Sequence, residues 1–353
     1  MIAKQIDTFE PNESSSFSSL GLNNAFESAP TNHGRWPVDP ASAQSCAEQL
    51  AERAEHIPVI RPGLWQAEYP FEPHYLALGG GRCVHYVDQG QGPAVVMVHG
   101  NPGWSFMWRH LLSSLTGYRR LAVDLLGMGL SSRPQPGPWL TLAGRIADFT
   151  HWLDQVVPKG PVHLMAHDWG GPIALGWGTK NPDRVASLTL MNTALRLPSG
   201  TSLSWKLKLF QQSRFLGRFL AVSLNLFCGG LVRYGTVRPM TKSAREGFLA
   251  PYRLAAHRQA VGGFVQDIAL TPKHPSWETL SEIDRSLRLV AGKPSQLIWG
   301  LKDFVFTKAF MLDLAARLPG AEIWPLPMAG HCLTEDQPDR IVAICRDFLR
   351  RNC

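Results

Sequence analysis

A chain of 353 residues, 44% hydrophobic and 18% charged, has enough apolar material for one large α/β domain with an insertion, or for two domains. Its formal charge of +7 permits an acidic partner or a membrane surface without demanding either, and the absence of any DNA- or RNA-binding motif argues against nucleic acid. Six scattered cysteines (Cys46, Cys83, Cys228, Cys332, Cys345 and Cys353) show no CxxC spacing, the N-terminus carries no apolar signal core, and no run is long enough to span a bilayer, so the expectation is a soluble cytoplasmic protein with reduced thiols.

Residues 1 to about 40 are rich in Ser, Asn, Pro and Gly and cannot bury enough apolar surface to offset their ordering entropy; they are expected to form a mobile tail within an extension over 1–55. Ala41–His56 has the spacing of a short helix with a thin apolar face. Tyr75–Leu78, the turn Gly79-Gly80-Gly81 and Cys83–Val87 predict a β-hairpin, and Ala94–Val98 is a continuous apolar run of the kind found in buried central strands. Leu121–Asp124 predicts another strand, followed by the glycine-bearing loop Asp124–Ser131 and an amphipathic helix over Thr141–Val157. Strands are expected at Val162–Ala166, Val185–Met191, Ser295–Gly300 and Ala321–Leu326, with helices at Lys308–Leu318 and Ile341–Leu349. Alternating strands and helices imply a doubly wound, mostly parallel sheet. The core would be divided into 56–195 and 289–353.

The alternation breaks over 196–288, where Trp205, Leu207, Leu209, Phe210, Phe215, Leu216, Phe219 and Leu220 mingle with Lys206, Lys208, Arg214 and Arg218. This segment is expected to be a helical cap over the sheet's carboxyl edge, where α/β ligands bind. From Arg196 to Arg258 the only acid is Glu246. Solvated basic helix faces account for this pattern, and so does a cation-rimmed apolar pocket or docking face.

Chemistry concentrates at Val162–Gly171. A buried strand meets Asp168 and then a helix, with Ala166 before the aspartate and Gly170 and Gly171 after it, the small-residue pattern of a nucleophile elbow. A carboxylate at the apex suits attack on carbon, and the resulting ester needs a second step for release. An ordinary Asp at a helix start is the bland alternative. Asp303 follows the strand ending at Gly300, and His331 follows the later strand, so the chain order is nucleophile, acid, histidine, as in the α/β-hydrolase fold. Asp168 would attack, His331 would act as base, and Asp303 would orient the imidazole. Asn101 and Trp169 take the positions of the oxyanion-hole donors, and an amide and an indole N–H could also hold a leaving group. His99 and His167 flank the site and are expected to shape its loops. No metal-ligand cluster or cofactor motif is apparent.

With these residues named, His99-Gly-Asn-Pro102, Trp104-Ser-Phe106, Trp108-Arg109 and His167-Asp-Trp-Gly-Gly171 make the chain resemble the haloalkane dehalogenase-like branch of the α/β-hydrolases from about Tyr69 to Leu349. The resemblance implies Asp168 as nucleophile and the Asn101–Trp169 pair as leaving-group binder. One subfamily carries its acid after the strand that here ends Leu190-Met-Asn-Thr-Ala194, but Asn192 and Thr193 are not acids, which leaves Asp303, with Asp267 the next carboxylate to test.

Within the branch, Tyr69-Pro-Phe71, Asn192-Thr-Ala194, Val265-Gln-Asp-Ile268 and Gly300-Leu-Lys-Asp-Phe-Val-Phe306 look most like the β-lactone decarboxylases of bacterial long-chain olefin biosynthesis. That likeness implies a hydrophobic substrate with two alkyl chains and partner enzymes of a hydrocarbon pathway; peripheral membrane contact has no support from any motif. The alternatives kept are a haloalkane dehalogenase, an epoxide hydrolase using Tyr234 and Tyr252 as acids, and a non-enzymatic binding protein. Asn101 stands where epoxide hydrolases usually carry an aromatic.

Overall fold

The computed structural model describes residues 60–202, 208 and 214–353. The expected N-terminal tail, the helix over Ala41–His56, and Trp205, Lys206, Leu207, Leu209 and Phe210 of the inserted segment lie outside the described residues.

Eight strands form one sheet: β1 (Pro73–Gly79), β2 (Arg82–Gln89), β3 (Ala94–Val98), β4 (Arg119–Val123), β5 (Val162–His167), β6 (Val185–Met191), β7 (Ser295–Gly300) and β8 (Glu322–Leu326). Their spatial order is β1-β2-β4-β3-β5-β6-β7-β8. The first two pairings, β1–β2 and β2–β4, are antiparallel, and every later one is parallel. β3, β5 and β7 are buried along their whole length, because helices cover both faces of a parallel sheet; this is why β3 reads as an unbroken apolar run, while β5 and β7 carry His163, His167, Ser295 and Gln296 among their apolar residues.

The register brings the functional loops together. Val98 pairs with Ala166, Ala166 with Leu190, and Leu190 with Leu297. The carboxyl ends of β3, β5, β6 and β7 therefore finish side by side, and the loops after them open on one edge of the sheet. Against the sheet lie α1 (Arg109–Ser114), α2 (Leu142–Val156), α3 (Gly170–Gly178), α9 (Lys308–Arg317) and α10 (Pro338–Arg351). The Thr141 hydroxyl caps α2 by accepting from the Gly144 N–H at 3.2 Å. The closing helix is longer than predicted: Pro338 occupies its first turn with Asp339, and Arg350 and Arg351 fall in its last, an arrangement that favours both ends of the helix dipole.

Between β6 and β7 the described residues are helical, with α4 (Arg214–Arg218), a π turn (Phe219–Ser223), α5 (Leu226–Tyr234), α6 (Lys242–Leu249), α7 (Gln259–Gln266) and α8 (Trp277–Ser286). Arg258 is buried and ties this segment into a unit. Its guanidinium donates to the carbonyls of Val222 (2.6 Å), Ser223 (3.2 Å), Tyr252 (2.6 Å) and Arg253 (2.9 Å).

Candidate active site

β5 runs straight into Asp168, whose φ of 52° is the left-handed conformation that a sharp strand-to-helix turn requires and that most non-glycine residues avoid. Neighbouring elements hold it there. The Asp168 N–H donates to Asn192 O at 3.1 Å, and the Thr193 hydroxyl donates to Asp168 O at 2.5 Å. The helix α3 that follows packs tightly on β3: a Cβ on Gly170 would lie 2.1 Å from Val98 O. A Cβ on Gly100 would lie 2.1 Å from Asp168 Oδ1, so the glycine after His99 is what makes room for the carboxylate.

Asp168 is buried, and its Oδ1 accepts from the Asn101 N–H at 2.7 Å. The Trp169 N–H adds a second backbone hydrogen bond. Burial pushes the carboxyl up to about 6, against the opposing pull of the His331 charge and these two donors. One oxygen is thereby pinned and the side chain is aimed at a cavity.

His331 is also buried, and its Nδ1 donates to Asp303 Oδ2 at 2.9 Å. Burial alone would lower the imidazole, but the charge and hydrogen bond of Asp303, with the charge of Asp168, raise it above its ordinary value. Burial would likewise raise Asp303. The His331 charge and the hydrogen bonds from His331, Val305 and Asn192 outweigh it and hold that carboxyl below its usual range. With Nδ1 committed to the carboxylate, Nε2 is the ring nitrogen left to act as a base.

Asn101, Asp168, Trp169 and His331 all line a cavity of about 950 Å³ whose remaining wall is mainly apolar, including Leu195, Phe227, Leu231, Val265, Ile268 and Phe306. Asp303 sits behind His331, outside the lining. The Asn101 side chain is partly committed: its Nδ2 donates to Val261 O at 3.1 Å, anchoring the β3 loop to α7. The Trp169 indole packs on Phe264 with ring centroids 5.4 Å apart, and Arg145 lies over the Phe264 face at 3.6 Å.

The two flanking histidines hold loops. His99 Nδ1 donates to Gly100 O at 2.8 Å and its Nε2 accepts from the Leu125 N–H at 2.9 Å, joining the β3 and β4 loops behind Asn101. His167 Nε2 donates to His331 O at 2.9 Å. Burial, followed by the charge of His331, lowers His167 to about 3, so it stays neutral and fixes the His331 backbone.

Two secondary candidates fall away. Asp267 accepts from Arg145 Nη1 at 2.8 Å and from the Ser276 hydroxyl at 2.6 Å, an ion pair whose arginine lies over Phe264, whereas His331 bonds Asp303. Tyr252 is buried off the cavity, donating to Gly103 O at 2.8 Å, so only Tyr234 of the two tyrosines needed for epoxide opening lines the cavity. Asn192, set aside in the sequence as a non-acid, turns out to matter: its Nδ2 donates to Asp303 Oδ2 at 2.7 Å and its Oδ1 accepts from the Gly300 N–H at 2.8 Å. The available signal was a polar Asn-Thr pair directly after a buried strand. An ionised carboxylate held by N–H donors on an apolar cavity, with an imidazole backed by a second carboxylate, can attack carbon and then be released.

The comparisons agree with this architecture. The model of the alpha/beta hydrolase fold matches residues 93–338, and the chain belongs to that family; it is an enzyme of the α/β-hydrolase class. It is related to β-lactone decarboxylases and haloalkane dehalogenases, as the sequence motifs implied. It is 35% identical over 294 residues to cis-3-alkyl-4-alkyloxetan-2-one decarboxylase of Xanthomonas campestris pv. campestris, an alignment covering 80% of this chain and 98% of the relative. It is 34% identical over 289 residues to haloalkane dehalogenase 2 of Mycobacterium tuberculosis, covering 78% and 94%. The crystal structure of the haloalkane dehalogenase DatA from Agrobacterium tumefaciens C58 superposes with a TM-score of 0.72 at 25% identity, covering 83% of this chain and all of that one.

Proposed function

We propose that this enzyme uses Asp168 as a nucleophile to convert a cis-3,4-dialkyl β-lactone into an alkene and CO2. The observation that carries this reading is the cavity of about 950 Å³ in front of Asp168, mainly apolar and roomy enough for two alkyl chains. The name of the Xanthomonas relative, a decarboxylase of such lactones, supports it.

In this reading the Asp168 carboxylate attacks ring carbon C4, and the strained C4–O1 bond breaks. The ring oxygen leaves as part of a free carboxylate on C3, and an aspartyl ester forms at C4. The C3–carboxylate bond then breaks; its electron pair becomes the C3=C4 double bond, CO2 departs, and the aspartate is expelled unchanged. No water is consumed. The His331 imidazolium, stabilised by Asp303, lies beside the new carboxylate and balances its charge.

A haloalkane dehalogenase is the second reading, favoured by Asn101 and Trp169 on the cavity wall and by the mycobacterial relative. There Asp168 displaces halide, and His331 activates a water that cleaves the ester. The two are separated by giving the purified enzyme a cis-dialkyl β-lactone and, in parallel, short bromoalkanes. Alkene detected by gas chromatography with little bromide release is the expected result. Rapid bromide release with untouched lactone would overturn the decarboxylase reading. In heavy-oxygen water, decarboxylation leaves the alkene unlabelled, whereas hydrolysis places solvent oxygen in an alcohol or hydroxy acid.

A further inference from the structure

The inserted segment exposes side chains that the active site does not use. Phe219 is 52% exposed, Leu224 50%, Leu226 49% and Leu254 60%, large values for residues of this size in a folded chain. They belong to one place. Phe219 opens the π turn and Leu224 follows its last residue, Leu226 opens α5 just past the bend, and Leu254 lies on the loop that Arg258 ties to Val222 and Ser223. The Asn225 amide adds a bond to Tyr252 O at 3.5 Å across the same junction. A buried arginine with four carbonyl acceptors thus props up a rigid apolar knuckle.

The knuckle is flanked by basic residues. Arg218 adjoins Phe219 and bonds Gln259, Arg253 adjoins Leu254, and Arg233 lies on the second helix of the bend; all three are exposed. The one acid between Arg196 and Arg258, Glu246, already accepts from the Leu64 N–H at 3.1 Å. No single helix among the described residues is long and apolar enough to cross a membrane. The pair Leu216–Ser223 and Leu226–Tyr234 is apolar enough when taken together, but it bends by 68°. A bent, half-exposed apolar pair with a cationic rim has the character of an element lying in the headgroup region of a bilayer. Leu224 at the bend and Leu226, Leu231 and Tyr234 of the second helix also line the active-site cavity, so the knuckle stands at its mouth.

We infer that this knuckle docks the enzyme onto the surface of an anionic phospholipid bilayer, with Phe219, Leu224, Leu226 and Leu254 entering the acyl boundary and the surrounding arginines meeting the headgroups. A lipid surface fits better than a protein partner because Arg218, Arg233 and Arg253 beside the knuckle carry one sign of charge and the chain from Arg196 to Arg258 holds a single acid, whereas charges of both signs set register between two proteins. The inference does not depend on which substrate Asp168 attacks. Docked in this way, the cavity mouth faces the layer in which long-chain apolar molecules dissolve, and such a molecule can enter without crossing water.

The test is flotation of the purified full chain with vesicles of phosphatidylcholine alone and of phosphatidylcholine mixed with phosphatidylglycerol. Binding to the mixed vesicles, weakened by salt, is expected. Phe219→Glu and Leu254→Glu, neither of which lines the cavity, should each weaken it by about tenfold. Arg218→Glu and Arg253→Glu should each weaken it by at least about fivefold. Unchanged thermal unfolding of each variant guards against misfolding. Three results would overturn the inference: no binding to mixed vesicles, equal binding to both vesicle types, or binding that survives Phe219→Glu combined with Leu254→Glu. The last would mean that other residues make the contact. Self-association of the chain through this face, seen by sedimentation and abolished by the same pair while vesicles are ignored, would replace the bilayer with a second copy.

Discussion

Asn192 and Asp303, 111 residues apart in the chain, meet at 2.7 Å, and the Asp303 oxygen that accepts the Asn192 amide also accepts His331 Nδ1 at 2.9 Å. The other oxygen takes the Val305 N–H at 2.7 Å. The carboxylate behind His331 is therefore held by three donors, one of them from the end of β6. Asp303→Asn, which leaves the imidazole without its anion, should lower kcat by roughly 10⁴-fold. Asn192→Ala should cost about tenfold, because His331 and Val305 still hold the carboxylate. Steady-state kinetics on both variants checks the ranking; equal losses, or none at Asp303, would reassign the acid.

The proposed mechanism needs Asp168 as a carboxylate, and burial pushes that group up to about 6. The rate should therefore fall as pH drops through about 6, well above the point at which an exposed aspartate would titrate. A pH profile of kcat/KM from pH 4 to 8 reads this directly. An acid limb that stays near 4 would show that the nucleophile is solvated when it reacts.

The same raised value has a stability consequence. Between the unfolded value, 3.8, and about 6, the folded state holds a proton that the unfolded chain releases, so stability falls as pH rises through that window. Asp168→Asn removes the ionised group, keeps an acceptor for the Asn101 N–H, and on the proposed mechanism should abolish turnover. It should leave the variant more stable than wild type by on the order of 2 kcal/mol above pH 6, and about equal to it near pH 4. Thermal melts at the two pH values check both the size and the sign.

Gly100 is the steric test of the site. An alanine there would put its Cβ 2.1 Å from Asp168 Oδ1 and 2.3 Å from Asp168 Cβ, so a new side-chain rotamer does not relieve the clash and the two loops must move apart. Gly100→Ala should cost at least about 100-fold in kcat, the scale of an ångström-sized misplacement, with the circular dichroism of wild type. A near-normal rate would mean that the loops relax without displacing the carboxylate from its reactive position.

His331→Gln separates the two chemistries by what accumulates. With a bromoalkane, the alkyl ester on Asp168 should persist, because no base remains to activate water, and it should appear as a mass increase on the Asp168 peptide. With the β-lactone, release needs only loss of CO2, so the ester should not accumulate. Trapped adduct from the lactone would mean that His331 takes part in release.

The elbow was legible in the residues alone because its constraint is local. A strand can turn into a helix around one projecting side chain only where its neighbours are small, so Ala166, Gly170 and Gly171 mark Asp168 without any knowledge of the fold. The strand β3 was legible for a similar reason: burial on both faces writes an unbroken apolar run, and β5, β6 and β7 keep a shorter apolar signal around His163, Ser187, Thr189 and Gln296. Chain order then supplied Asp303 and His331. What sequence could not supply were relations between residues brought together only by strand order and register. Asn192 looked like an absent acid, and only the pairing of β6 with β7 turned it into the tether of Asp303. Asp267 looked like a spare carboxylate until packing gave it to Arg145, and Tyr252 like a spare acid until its hydroxyl met Gly103 O. A side chain's chemical type is written in the chain, whereas its partner is chosen by whichever distant group the fold carries within 3 Å.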